Sequence, residues 1–245
     1  MNNRVRFLGV FIFLTFVMKV VGELVHEVMG HGFFILLFGG EITRVRISLL
    51  WPYELSSITL NPPPGGFEAW QLVWIAGGGI LVCLLVSCVI QALLLFRIVK
   101  NWPSSTLLLW LSFWTFLNPT GYLIIGGIKP FGDVAALIEK DVLTQEISLV
   151  IGLLIFAVAF FSISKILMDL LLGLNLIRGV KELRVSISLF WLVVPIITAV
   201  YCLGTRQPLL YLQIFTSLSF APVLASFIIL PVLVKKSGEI KSQND

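Results

Sequence analysis

Charge is scarce in this sequence. Asp, Glu, Lys and Arg make up 12% of 245 residues, about half the share of a soluble domain. Histidine is scarcer still, at two residues, and cysteine stands at three. The shortage of charge excludes a soluble globular enzyme and a disordered chain. The cysteines (Cys83, Cys88 and Cys202) are odd in number and lie inside apolar runs, which excludes a disulfide framework and reads as buried, inert thiols. The net charge of +4 sits mainly in loops, so no nucleic-acid partner is implied. What the chain has in quantity is apolar: 58% of it is AVILMFWYC, and the mean hydropathy is +1.02.

That apolar material is gathered into six runs, at about 7–38, 67–99, 105–128, 147–172, 185–203 and 209–234, each near or above the ~20 residues that cross a bilayer as a helix. The fold class expected is an all-α polytopic membrane protein with about six transmembrane helices. A short β-like hairpin follows the first: Ile42 to Leu49 alternates, with Thr43, Val45, Ile47 and Leu49 on one face and Arg44, Arg46 and Ser48 on the other. Residues 1–245 read as one integral membrane domain. The first run follows Arg4 and Arg6 but is too long for a signal-peptide core and carries ionisable residues.

Loop cations suggest an orientation. With the N-terminus inside, the inner segments hold ten Lys and Arg (Arg4, Arg6, Arg97, Lys100, Arg178, Lys181, Arg184, Lys235, Lys236, Lys241). The outer segments hold five (Arg44, Arg46, Lys129, Lys140, Arg206). An excess of Lys and Arg marks the cytoplasmic side, so both termini are expected there.

The chemistry concentrates in the first run, which carries Lys19, Glu23, His26, Glu27 and His31. One charge at the bilayer centre costs at least ~2.5–3.5 kcal/mol, so five ionisable groups in one span need a reason. With Glu23 at zero on an ideal helix, Lys19 falls at about −40°, His26 at −60°, Glu27 at +40° and His31 at +80°, one hemisphere in all. Lys19 and Glu23, at i,i+4, read as an ion pair or as support for the others. His26-Glu27-Val28-Met29-Gly30-His31 reads as a metal motif. In H-E-x-x-H two histidines one turn apart hold zinc, and the glutamate between them is the base that takes a proton from water. Here one residue is added, and on an α-helix the histidines would be about 140° apart. A π-bulge would bring them together, and Gly30 sits where such a deformation is cheapest.

The expanded spacing resembles the H-E-x-x-G-H of a soluble dipeptidyl-peptidase family in the motif alone. Over about residues 7–140 the chain resembles the site-2 proteases, intramembrane zinc metalloproteases marked by H-E-x-G-H. The likeness rests on the motif with Gly32, on Gln71 to Ile80 as the glycine-rich opening of the second run, and on Asn118-Pro119 with Gly132-Asp133 as the family's N-x-x-P…D-G element. The chain departs from the pattern in the added motif residue, in Gly78-Gly79 for Gly-Pro, in Val134 after Asp133, and in the longer interval from Asn118 to Asp133. The resemblance implies a protease-like core at 7–140, additional transmembrane helices at 147–234, Zn2+ as cofactor and Asp133 as third ligand.

Read from the residues alone, the third ligand stays open. A catalytic zinc wants three protein ligands, and both histidines are already used. The cysteines lack a cationic neighbour, and Glu23 faces Lys19. Asp133 reads equally as a ligand or as the N-cap of the short helix after it; the resemblance favours the ligand. Asn118 is either a contact to a substrate carbonyl or backbone, or a partner for carbonyls freed by Pro119. Gly77-Gly78-Gly79 reads as close packing beside the metal helix.

The function expected is an intramembrane zinc metalloprotease. His26, His31 and Asp133 bind the metal, Glu27 is the base, and the substrate is a transmembrane or membrane-adjacent protein segment. Two other readings use the same residues: a proton- or cation-coupled transporter or channel, and a non-catalytic relative that binds membrane helices.

Overall fold

The computed structural model describes residues 3–48, 55–177 and 179–228. Leu49 of the alternating stretch, Arg178, the C-terminal lysines and the end of the sixth run lie outside them. Among the described residues the order is α1 (Asn3–Leu24), a π-helix (Val25–Gly32), α2 (Phe33–Leu37), β1 (Glu41–Arg46), β2 (Ser57–Asn61), α3 (Ala69–Leu95), α4 (Trp102–Ile128), α5 (Gly132–Glu139), α6 (Gln145–Gly173), α7 (Val180–Trp191), α8 (Val193–Gly204) and α9 (Leu209–Ser219). Among the described residues six stretches are long and apolar enough to cross a membrane: Val5–Leu37, Ala69–Leu95, Trp102–Ile128, Gln145–Gly173, Val180–Gly204 and Leu209–Ile228. The protein is an all-α multi-pass membrane protein with a two-stranded antiparallel sheet.

Local signals fix the helix starts. Glu68 and Gln71 form a capping box on α3. Asn101 Oδ1 accepts from the Ser104 amide at 2.9 Å at the start of α4, where Pro103 lacks the amide hydrogen that would be orphaned there.

Chain contacts divide the molecule into two compact units, one essentially up to residue 166 and one from 167 onward. In the first, α1 lies along α4: Phe11 packs on Trp110 with ring centroids 4.8 Å apart, and Trp114 Nε1 donates to the Thr15 carbonyl at 2.8 Å. Between helices in lipid such contacts, not water exclusion, hold the bundle. The short α5 is pinned by Val134 and Leu137, which join Ile80 of α3 and Leu123 of α4 in a buried cluster. Gly126 lets Val134 in: a Cβ there would lie 2.7 Å from that side chain. In the second unit Ser188 and Ser226 hydroxyls meet at 2.6 Å.

The hairpin turns back along the first span. Lys19 Nζ donates to the Ser48 carbonyl, and Ile42 and Ile58 crowd Gly32, where a Cβ would meet their Cδ1 atoms at 3.2 and 3.4 Å. Lys19 therefore does not form the ion pair that its i,i+4 spacing with Glu23 suggested. Its ammonium instead satisfies a carbonyl of the returning chain, which in an apolar layer would otherwise go unpaired.

Candidate metal centre

The added residue of the motif is absorbed by the backbone. Val25–Gly32 is a π-helix throughout, and its i→i+5 turn matches the interval from His26 to His31. Rings that an α-helix would splay are neighbours. Their Nε2 atoms are 3.2 Å apart, and the ring planes stand at 89° with centroids 4.8 Å apart.

Space for the rings comes from α3. A Cβ on Gly79 would lie 2.5 Å from His26 Cε1 and 2.7 Å from His31 Nε2. A Cβ on Gly30 would lie 2.4 Å from Gly79 Cα, and one on Gly78 would lie 2.5 Å from Phe34. Contacts this short with backbone and rings admit no side chain, so Gly30, Gly78 and Gly79 are required where the two helices touch. Gly77 is not part of this contact; its Cβ would meet only Leu137, at 3.8 Å.

Asp133 arrives from α5. Its Oδ2 lies 3.1 Å from His26 Nε2 and 3.4 Å from His31 Nε2. The cap of α5 is Phe131, not Asp133, and no side chain bonds there; Asp133 sits two residues further in and points at the histidines. Gly132 takes a φ of +52° and passes so close to Tyr122 that a Cβ would lie 2.5 Å from the ring. Tyr122 is itself stacked between His26, at 5.5 Å, and Phe131, at 4.9 Å. This ring, unnoticed in the sequence, ties the histidine segment to the start of α5. Its signal there was slight: an aromatic residue one helical turn after Asn118.

The three atoms form a triangle with edges of 3.1, 3.2 and 3.4 Å. Two ligands at ~2.0–2.1 Å on a tetrahedral zinc are about 3.3 Å apart. Hydrogen positions sharpen the fit. His31 Nδ1 lies 2.6 Å from the Ile75 carbonyl, which can only accept, so the neutral ring has its proton on Nδ1 and a lone pair on Nε2. Cys83 Sγ, 3.9 Å from His26 Nδ1, stands on the same far side of that ring. Asp133 Oδ2 is buried and receives no hydrogen bond. The His31 lone pair thus faces a carboxylate oxygen that also lies 3.1 Å from His26 Nε2, and a cation placed between them would satisfy all three. With protons on the imidazoles in place of a cation, burial would raise the Asp133 carboxyl, but N–H donation and positive charge from His26 and His31 would outweigh it and hold the group below the usual carboxylate range.

Glu27 is buried beside them, and the ligand atoms of His26, Glu27 and His31 all lie within 4.8 Å of one another. Two carboxylates therefore compete for the third position, and Asp133 is the one whose oxygen closes the tight triangle. Glu23 is buried one turn earlier. Asn118 is half-buried on α4, one turn before Tyr122 and on the same helix face; its amide makes no hydrogen bond among the described residues, to Pro119's neighbours or to the cluster. No protein-family model, curated protein or solved structure matches the chain.

Proposed function

We propose that the protein is an intramembrane zinc metallopeptidase, divergent from but related to the site-2 proteases, with His26, His31 and Asp133 as metal ligands and Glu27 as general base. The observation that carries this reading is the triangle of two imidazole nitrogens and one carboxylate oxygen beside a second, buried carboxylate. Three protein ligands leave one position open, the pattern of a catalytic zinc and not of a structural one. Zinc there supplies Lewis acidity, which polarises a peptide carbonyl and makes water acidic enough to lose a proton near neutral pH. Glu27 accepts that proton and returns it to the departing amine nitrogen. Ile75 and Cys83 hold the ring nitrogens that face away from the metal, and Tyr122 and Gly132 aim Asp133.

Substrates are transmembrane segments or peptides beside the membrane, because the candidate site lies on a membrane-spanning helix. Asn118, on the face of α4 that leads to Tyr122, is placed to receive substrate backbone. On this reading both termini face the cytoplasm, the side that the excess of loop Lys and Arg favours.

Metal analysis of the chain purified without added metal is the test. About one zinc per chain, lost together with activity on chelation and restored by zinc, is the expected result. No bound metal would favour a transporter or a non-catalytic helix-binding protein.

A further inference from the structure

The start of α1 and the connection from α3 to α4 meet at one end of the first unit. Phe7 packs on Trp102 with ring centroids 5.9 Å apart, and the Arg6 guanidinium carbon lies 6.0 Å from the centre of the same indole. Three candidate spans have their ends here, at Val5, Leu95 and Trp102, which puts these residues at the level of the headgroups. An indole favours that layer. In the connection Phe96 is 78% exposed and Ile98 63%. Two bare apolar side chains at the end of a bundle reach the acyl chains, while the long stem of Lys100 lets its ammonium stay in the polar layer.

This end bears charge of one sign. Residues 1–22 and 69–132 contain no Asp or Glu, and the first carboxylate along α1, that of Glu23, is about 25 Å further down the helix than Arg6. Arg6 and Lys100 are both exposed. Among the described residues neither forms a hydrogen bond or an ion pair; Arg6 has the indole contact instead. A guanidinium held by its face keeps its in-plane N–H donors for an acceptor at its edge.

We propose that Arg6, laid on Trp102, and Lys100 bind the phosphate of an anionic phospholipid. The planar fork of Arg6 matches two phosphate oxygens, and Lys100 adds a second cation two residues before the indole. A zwitterionic headgroup brings an ammonium as well. For that group this end has no carboxylate, and the face of Trp102 is already covered by a cation. Phe96 and Ile98 accompany the acyl chains, which a free phosphate lacks. The excess of loop cations favours the cytoplasmic side for this end, the leaflet that carries anionic lipid. The contact lies apart from the metal centre and stands whether or not the chain is a peptidase.

Native mass spectrometry of the full chain, released from neutral detergent, reads which lipids stay bound. The probes are phosphatidylglycerol and phosphatidylcholine with the same acyl chains. One phosphatidylglycerol should be held in preference to phosphatidylcholine. Arg6→Gln with Lys100→Gln should weaken its binding roughly 25-fold, about fivefold for each cation. Trp102→Leu leaves both charges in place and should still weaken it several-fold, which a diffuse attraction to charge would not do. Lys181→Gln removes an exposed cation from the second unit and should change nothing. Equal retention of the two lipids overturns the proposal, as does an effect of Lys181→Gln as large as that of the double variant. Unchanged binding in Trp102→Leu overturns the built site. Displacement of the lipid by millimolar inorganic phosphate does so too, and makes the ligand a free phosphate.

Discussion

Helix α3 meets its neighbours in two different ways along one stripe. Gly79, Cys83, Ser87 and Gln91 follow one another at intervals of four and face the same side. At Gly79 the helix contributes nothing, and the vacant volume holds two imidazole rings. Two and three turns on, it reaches out. Ser87 donates to the Ser112 carbonyl at 2.9 Å, Gln91 donates to Ser87 Oγ at 2.8 Å, and Ser162 of α6 donates to Gln91 Oε1. The first end is a steric requirement, in which a single added carbon must displace backbone or a ligand. The second is a set of hydrogen bonds, each worth about 0.6 kcal/mol on average between membrane helices. Beside the histidine cluster the helix withdraws, and where only the bundle must be held it binds.

The sharpest way to break that contrast is Gly79→Ala. Overpacking typically costs ~1–3 kcal/mol, and here the displaced atoms belong to the rings of His26 and His31, the proposed ligands. Zinc per chain should fall to near zero while the helical circular dichroism signal persists. An alanine variant that keeps its zinc would show that the rings have other room.

Asp133→Asn comes next. Since α5 is capped at Phe131, the substitution touches the ligand role and leaves the helix start alone. Competition with a chelator of known affinity should show zinc affinity falling by more than the roughly 10–100-fold of an outer-shell change. Unchanged affinity would pass the third position to Glu27 or Glu23.

Glu27→Gln should separate binding from turnover. Zinc content is expected to stay at the wild-type level, and cleavage of any substrate to drop by at least the ~10²–10⁴-fold that a general base contributes. Residual cleavage near the wild-type rate would remove Glu27 from its role.

At the other end of the stripe the effects should be small. Ser87→Ala breaks a helix-to-helix bond, so thermal stability in detergent should fall by about 0.5–1.5 kcal/mol with zinc content unaltered. A loss of zinc in this variant would mean that the two halves of α3 are coupled and the contrast between them is false.

Much of this architecture was legible beforehand. The six apolar runs became six long helices, and a strand formed at Glu41–Arg46, but a bulge after Ile42 breaks the expected alternation and leaves Val45 exposed along with the arginines. The five-residue interval between histidines called for a π deformation, and one spans Val25–Gly32. Three features were not legible. Lys19 bonds to Ser48, 29 positions away; no local pattern announces that a hairpin turns back into the layer. Gly77-Gly78-Gly79 reads as one packing patch, and only the rotation of α3 separates Gly78 and Gly79, against the metal segment, from Gly77. Tyr122 looked like any aromatic residue of an apolar helix until it lay between His26 and Phe131.

The division has a physical origin. Sequence alone determined what depends on composition and on short intervals: the membrane as solvent, the number of spans, the glutamate and histidines on one segment, and the backbone irregularity their spacing demands. These follow from transfer free energy and helical period, which act within a turn or a run of twenty residues. Tertiary structure decided what joins distant segments: that Asp133, 107 positions from His26, closes the triangle, that Gly79 vacates the space for it, and that Ile75 orients His31. In an apolar layer these contacts arise from packing and from the need to satisfy polar groups, and both are settled only when whole helices find their places.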